Sequence, residues 1–189
     1  MTTPPPLAIE EYRALRATIR ERGTLRLFVT AITVVAWAAL SLALLAVTTM
    51  PAMTLVPLTV LAAGFEVVFA AHVSVERIGR YLAARYETPE AALPDWERAI
   101  ADVGGRAGQG SGIDALFSLI FVLATAFNLI PLVVIVLELP SAPAPAVILT
   151  SSALVAAHLA FIARILHARR YAAGQRARDA ELFANSRPR

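Results

Sequence analysis

The chain has 189 residues, of which 58% are hydrophobic and 16% charged, with no Cys and a formal net charge of +3. This apolar content exceeds the roughly 45–50% typical of soluble domains, and its concentration in long blocks indicates an integral membrane protein. The absence of Cys excludes disulfides, thiolate metal sites and Cys nucleophiles. The modest charge, which is carried by Arg beside the apolar blocks, argues against a nucleic-acid surface.

The first predicted element is an amphipathic helix over Leu7–Arg22. Its apolar side chains recur at spacings of three and four residues, at Tyr12, Leu15 and Ile19. That spacing places them on one helix face. Gly23 is expected to end this helix and Thr24 to cap the next one. Residues 1–26 are therefore assigned to a cytoplasmic N-terminal segment.

Residues 27–75 are predicted to form a first transmembrane hairpin. Its first span, Leu27–Thr49, carries its polar side chains within one arc at about 100° per residue. These side chains are Thr30, Thr33, Trp37, Ser41 and Thr48. Such a stripe is expected to face other helices rather than lipid.

The second span begins near Met53 and contains one carboxylate, Glu66, close to the expected bilayer midplane. A charge there costs at least about 2.5–3.5 kcal/mol on insertion scales, so Glu66 is expected to face the helix bundle and to be protonated or paired. It is a candidate ion or proton relay, and alternatively a structural carboxyl group bonded to a neighbouring span. The span is predicted to continue without a break into a charged helix, Glu76–Glu87.

Residues 76–112 are predicted to form a cytoplasmic helical extension and linker. Thr88 and Pro89 resemble a helix start, and the following short helix is expected to lie at the membrane interface with Trp96 as its anchor. Gly104–Gly112 is interpreted as a flexible link.

The second predicted transmembrane hairpin comprises residues 113–166. Ser111–Asp114 fits a capping box at its start. Polar residues of its first span, Ser118, Thr125 and Asn128, share a face. Pro131 removes a backbone donor, so a kink is expected there.

The last span, Ala146–Leu166, follows a short Pro-rich turn at Glu138–Pro145. Small residues at four-residue spacing, Ser152, Ala156 and Ala160, form a ridge suited to helix contact. The basic tail, residues 167–189, is predicted to be helical to about Phe183.

The distribution of Arg predicts the orientation in the membrane. The two hairpin turns contain no Arg, whereas residues 1–26, 76–112 and 167–189 hold 16 of the 17 basic residues, and the remaining one, Arg164, lies at the end of the fourth span next to the C-terminal tail. The positive-inside rule then places both termini and the central segment in the cytoplasm. The exclusive use of Arg and the abundance of Ala indicate a GC-rich bacterial genome, and hence a bacterial cytoplasmic (inner) membrane.

Two histidines, His72 and His158, are expected at similar depth on two spans, each within an Ala-Ala-His triplet. Imidazoles facing each other across a four-helix bundle could ligate a b-type haem or, with a carboxylate, a metal ion. The alternatives are an interfacial polar ladder from His72 through Glu76 to Arg80, and a buried hydrogen bond for His158. The absence of a cofactor is preferred over haem b.

An Arg-rich rim continues the second and fourth spans. Together with Trp96, its members are candidate contacts to anionic lipid headgroups or to a partner. They are Arg77, Arg80, Arg85, Arg169 and Arg170.

These patterns predict an all-α integral membrane protein, a four-transmembrane-helix bundle of two hairpins with amphipathic cytoplasmic flanking helices. The sequence lacks hydrolase, P-loop and dinucleotide motifs, so the favoured function is a non-catalytic scaffold or accessory subunit, in a homo-oligomer or a larger membrane complex. The first alternative is a small oligomeric channel or transporter that uses Glu66, Thr125 and Asn128. The second is a haem protein ligated by His72 and His158.

Overall fold

The computed structural model describes residues 6–47, 50–86, 112–137 and 144–185, and these residues are nearly all helical. Helix α1 spans Pro6–Val47 and α2 spans Leu55–Arg85, preceded by a 3-10 turn at Pro51–Thr54. The remaining helices are α3 (Gly112–Asn128), α4 (Ile130–Leu137) and α5 (Pro145–Asn185). The predicted all-helical class is confirmed.

Four segments are long and apolar enough to cross a membrane. They are Pro6–Val47, Pro51–Arg85, Ala115–Val134 and Pro145–Phe183. The uninterrupted passage from the second apolar segment into a charged helix is confirmed as far as Arg85, where α2 ends. The helical tail is also confirmed, since α5 extends to Asn185.

The predicted helix break at Gly23 is wrong. Helix α1 is continuous over 42 residues, and the Thr24 hydroxyl donates to the Arg20 carbonyl at 3.1 Å. Thr24 therefore bonds back into the preceding turn instead of capping a new helix. A Gly inside a helix costs about 1 kcal/mol relative to Ala, a penalty small enough to be outweighed by the packing of α1 before and after it, at the buried Tyr12 and Thr33.

The predicted kink before Pro131 is confirmed as a break between α3 and α4 at Leu129. The Leu129 amide donates to the Ala126 carbonyl at 3.1 Å, a tightened turn, and the Val133 amide bonds to the Leu129 carbonyl at 3.0 Å. Proline has no amide proton for the bond to the carbonyl four residues earlier, so the helix closes at Asn128 and restarts at Ile130.

Several predicted features lie outside the described residues. They are the Thr88 cap, the interfacial helix with Trp96, most of the glycine link, Ser111 of the capping box, Thr48 and most of the Pro-rich turn.

The chain forms two compact units. The first unit comprises the described parts of Met1–Leu27, Phe69–Asp114 and Arg169–Arg189, and the second comprises those of Phe28–Val68 and Ala115–Ala168. The core of the first unit is Tyr12, Leu82 and Tyr86, with the predicted apolar face of α1 packed against it.

The second unit has an aromatic core around Phe65, whose ring lies 5.4 Å from that of Phe121 and 5.9 Å from that of Phe161, both edge to face. Helices α1 and α2 approach closely at Gly64. A Cβ atom there would lie 2.1 Å from the Thr33 hydroxyl oxygen, so only glycine fits. The polar stripe of α1 faces inward as predicted, with Thr30 and Thr33 buried.

Candidate functional site

Asn128 is the centre of a buried, neutral group of hydrogen bonds in the second unit, which we term the Asn128 junction. Its side-chain oxygen accepts from Trp37 Nε1 at 3.4 Å. Its side-chain nitrogen donates to the Thr54 carbonyl at 2.8 Å and lies 2.9 Å from His158 Nε2. The junction therefore joins α1, the 3-10 turn, α3 and α5, and it uses both amide protons of Asn128.

The hydrogen bonds of His158 define its tautomer. The ring is fully buried, and Nδ1 lies 2.8 Å from the Leu154 carbonyl, which can only accept. Nδ1 therefore carries the proton, while Nε2 accepts from the Asn128 amide. Because both nitrogens are engaged, ligation of a haem iron by His158 would require breaking the Asn128 junction.

Two further polar residues of α3, Ser118 and Thr125, also face the interior of the second unit. Thr125 is fully buried, and its hydroxyl donates to the Phe121 carbonyl one turn earlier at 2.7 Å. Ser118 is buried on the same face. The predicted shared face of Ser118, Thr125 and Asn128 is thus a packing surface.

Glu66 lies on the surface of the second unit, so its predicted inward orientation is wrong. It is paired as expected, because Arg164 Nη2 donates to Glu66 Oε2 at 2.7 Å. The two side chains remain 48% and 38% exposed, respectively, while the Arg164 guanidinium lies 6.0 Å from the centre of the Phe65 ring. Arginine on α5 supplies the counter-charge at the surface of the unit.

The three residues predicted to form one relay belong to separate hydrogen-bonded groups. Glu66 bonds to Arg164, whereas Thr125 bonds within its own helix and Asn128 belongs to the junction. The relay therefore stays a prediction, and the geometry of the described residues adds no support to it.

In the first unit, two carboxylates organise a charged network. Glu76 accepts two bonds from Arg176, from Nε and Nη2 at 3.1 Å each, and a third from Arg80 at 3.1 Å. Asp179, which is 2% exposed, accepts from Arg80 Nε at 3.2 Å and Nη2 at 2.8 Å. Arg80 thus bridges both carboxylates, and such charge-assisted bonds are stronger than neutral ones.

His72 belongs to this charged network. Arg26 Nη1, which can only donate, lies 2.7 Å from His72 Nδ1, and His72 Nε2 lies 3.4 Å from Glu76 Oε1. Nδ1 therefore accepts and Nε2 carries the proton. The predicted ladder from His72 through Glu76 to Arg80 is confirmed.

A tyrosine pair shares one carboxylate of α1 in the first unit. Tyr81 donates to Glu11 Oε1 at 3.1 Å, and Tyr86 donates to the other oxygen of Glu11. Burial raises the pKa of Tyr86 above its ordinary value, and the hydrogen bond to the Glu11 carboxylate raises this pKa further. Tyr86 also contacts Tyr12 edge to face, with ring centres 5.9 Å apart.

The predicted Arg rim divides into bonded and exposed members. Arg80 is bonded in the network described above. Arg77 is mostly exposed, with Nε 3.8 Å from Asp179, and Arg85, Arg169 and Arg170 are exposed. Trp96 lies outside the described residues. Among the described residues, no group of three or more His, Asp or Glu side chains is placed to hold a metal ion.

The sequence analysis did not single out Asp179, Arg26 or Glu11. A usable signal was present, because ion pairs between α2 and α5 recur at nearly constant separation. These pairs are Glu66–Arg164, Arg80–Asp179 and Glu76–Arg176, with separations of 98, 99 and 100 residues. A search for opposite charges separated by 98 to 100 residues would have found these three pairs, and with them Asp179, but neither Arg26 nor Glu11 of α1.

Comparison of the chain with protein families, with curated proteins and with solved structures found no match.

Proposed function

We propose that this chain is a multi-pass protein of a bacterial cytoplasmic membrane, with both termini in the cytoplasm, and that it acts as a non-catalytic scaffold or accessory subunit. Four apolar helices of sufficient length support the membrane assignment, and the distribution of Arg supports the orientation. We further propose that the chain self-associates through a surface that carries the Glu66–Arg164 pair.

The exposed Glu66–Arg164 pair is the observation that carries this proposal. Glu66 precedes the first residue of the charged extension, Glu76, by about 15 Å along α2 at the usual helical rise. That distance is about half of a hydrocarbon core of roughly 30 Å. Ionisable groups at such depth face protein or water rather than lipid, so a pair this exposed needs a protein surface to cover it.

The small residues of α5 support a second copy of the chain as that surface. Ser152, Ala156 and Ala160 are all exposed, and the same four-residue step leads to Arg164. Small residues allow helix backbones to approach closely in a membrane. The predicted ridge is therefore unused within the described chain and ends at the ion pair.

A two-fold axis along the membrane normal would make this surface self-complementary. Arg164 of one copy would then approach the partner's Glu66, and each carboxylate would gain a second cation. Because the surface carries both a guanidinium and a carboxylate, the two copies would make the same Arg164–Glu66 contact twice. Oligomerisation thus removes the exposed charge that a single copy would present to lipid.

Cysteine cross-linking in membranes tests the proposal, since the natural chain has no Cys. Ala160→Cys is expected to give a dimer on oxidation, whereas Ala39→Cys, an exposed alanine of α1, is the matched control. Arg164→Ala should weaken the dimer at least about tenfold because it leaves a carboxylate unpaired, while Arg170→Ala should not. Equal cross-linking at both cysteine positions, or a dimer unaffected by Arg164→Ala, would contradict self-association through this surface.

A further inference from the structure

The charges of the first unit are divided between its interior and its surface. The carboxylates Glu76 and Asp179 lie inward, with side chains that are 19% and 2% exposed, and they are bonded there by Arg176 and Arg80. A second set of arginines, on three different helices, is exposed instead. We term this set the arginine belt, and its members are Arg20 of α1, Arg77 of α2, and Arg169, Arg170 and Arg178 of α5.

Contacts between the helices place the arginine belt in one layer along the helix axes. Arg26 of α1 contacts His72 of α2, and Arg176 of α5 bonds to Glu76 of α2. Counted from these contacts at about 1.5 Å per residue, the belt extends from about 5 Å on the apolar side of His72 to about 9 Å on its other side. The headgroup region on each face of a bilayer is roughly 5–8 Å deep, and long arginine side chains can reach into it from either side.

The exposed charge of this layer is mainly positive. Among the described residues of the layer, Glu21 of α1 is the exposed carboxylate, and it stands against the five arginines of the belt. Arg77 approaches Asp179, with Nε at 3.8 Å, yet its side chain stays 64% exposed. Because the other carboxylates lie inward, the exposed surface has an excess of positive charge, which is complementary to an anionic partner.

We propose that the arginine belt binds the phosphate groups of anionic phospholipids. Arg169 and Arg170 follow Leu166, the end of the fourth predicted span, by three and four residues, so they lie at the depth of the headgroups. A guanidinium donates two parallel hydrogen bonds to a phosphate, which gives geometric selectivity in addition to charge. The proposal rests on the membrane location proposed above, and it does not depend on self-association.

The distribution of the arginine belt favours lipid over an acidic protein. A docked protein covers one face of its partner, whereas lipids contact every helix of a membrane protein at the same depth. The belt has members on α1, α2 and α5 within one layer. Arg169 and Arg170 are both exposed although consecutive residues lie about 100° apart around a helix, so α5 presents arginine over a wide arc.

Native mass spectrometry of the full chain in detergent tests the proposal. The chain is titrated separately with palmitoyl-oleoyl phosphatidylglycerol, which is anionic, and with the phosphatidylcholine of the same acyl chains, which has no net charge. We expect phosphatidylglycerol to bind at least about tenfold more tightly. Arg169→Gln combined with Arg170→Gln should reduce this ratio at least about fivefold, the contribution of one arginine near an anionic surface. Lysine at both positions should keep most of the preference, because it retains the charge.

The matched control is Arg13→Gln combined with Arg85→Gln. Both arginines are exposed, and they lie about 10 Å farther along the helix axes than Arg20 and Arg77. This variant loses the same net charge as the test variant, but it should keep the lipid preference. Soluble glycerol phosphate, added at the concentration of the lipid, should not displace phosphatidylglycerol.

Four results would overturn the proposal: equal binding of the two lipids, an unchanged ratio in the glutamine variant of Arg169 and Arg170, an equal loss in the control variant, or displacement by glycerol phosphate, which would indicate a soluble ligand. The same spectra report the oligomeric state. A monomer that prefers phosphatidylglycerol would contradict self-association and support the belt, whereas a dimer without lipid preference would overturn the belt alone. Retention of the chain in carbonate-washed membranes tests the membrane location separately.

Discussion

The two units of this protein stabilise their buried polar groups in opposite ways. The first unit uses full charges, with Glu76 and Asp179 each bonded by arginine. The second unit holds its buried polar groups in a neutral amide, indole and imidazole junction around Asn128. Removing charges from water costs several kcal/mol each unless they are fully paired, so a neutral junction is the less costly choice where apolar surroundings dominate.

The two units also differ in which ring nitrogen of their histidine carries the proton. His72 and His158 occur in identical Ala-Ala-His triplets. His72 accepts at Nδ1 from a guanidinium, whereas His158 donates from Nδ1 to a carbonyl. Local sequence therefore does not determine the protonated nitrogen, because the partner comes from a distant helix in the first case.

The largest effect is expected from Asp179→Ala in the charged network. This change leaves the Arg80 guanidinium without its principal carboxylate, and removing one partner of a buried pair costs about 3–5 kcal/mol. Because Arg80 is 21% exposed, we expect a loss at the lower end of this range, about 3 kcal/mol in the free energy of unfolding. Thermal or denaturant unfolding of the solubilised protein measures it.

Arg13→Ala is the control for Asp179→Ala, because it breaks an ion pair with Glu10 whose side chains are both 71% exposed. Its effect should stay below about 0.5 kcal/mol. Equal losses from the two variants would show that the first unit does not depend on its charges.

A smaller loss, of about 2 kcal/mol, is expected from Asn128→Leu in the neutral junction. The substitution leaves His158 Nε2, which is fully buried, without a donor, and one buried unsatisfied group costs about 1–3 kcal/mol. Trp37 and Thr54 also lose their bonds to Asn128, but both are only partly buried, so their contribution is smaller. Thr150→Ala, an exposed threonine bonded to its own helix at 2.9 Å, is the control. Combining Asn128→Leu with His158→Leu should cost less than the two single losses added together, and strict additivity would argue against a connected junction.

Two glycine substitutions are expected to change stability in opposite directions. Gly64→Ala should cost about 1–3 kcal/mol, because the added Cβ overlaps Thr33. Gly23→Ala should stabilise α1 by up to about 1 kcal/mol, since no atom lies within 4 Å of its added Cβ and alanine favours a helix. Measured free energies of unfolding test both expectations. A loss of stability in Gly23→Ala would indicate that the helix ends at Gly23, as the sequence predicted.

Tyr86 in the first unit is expected to have the smallest effect on stability at neutral pH. Its contribution becomes visible at alkaline pH. Its pKa is raised in the folded protein, so the folded state holds this proton more tightly than the unfolded chain does. That stabilisation is complete below a pH of about 10, the ordinary tyrosine value, and is lost as the pH rises through the folded-state pKa. The chain has no Lys or Cys and only 4 Tyr, so few other groups titrate in this range.

Unfolding measured from about pH 9 to 11.5 should therefore show stability falling with pH, and Tyr86→Phe should flatten this fall. Tyr171→Phe removes an exposed tyrosine and is expected to leave the slope nearly unchanged. An identical slope in Tyr86→Phe and the unmodified chain would contradict the assigned role of burial and Glu11.

Much of the fold was predictable because it depends on local chemistry. The blocks of apolar residues predicted the four long apolar helices, and the missing amide proton of Pro131 predicted the break at Leu129. Gly23 misled the prediction because glycine is only a weak helix breaker. Its ordinary role as a helix end depends on a backbone conformation that the sequence does not reveal.

The sequence by itself determined the helical class, the four apolar segments and the inward face of α3, because periodicity and hydrophobicity are properties of neighbouring residues. Tertiary structure alone decided that Glu66 lies exposed beside Arg164 and that Asn128 joins Trp37 to His158. Each of these outcomes depends on residues brought together from distant parts of the chain, and a single sequence carries no direct record of such pairings.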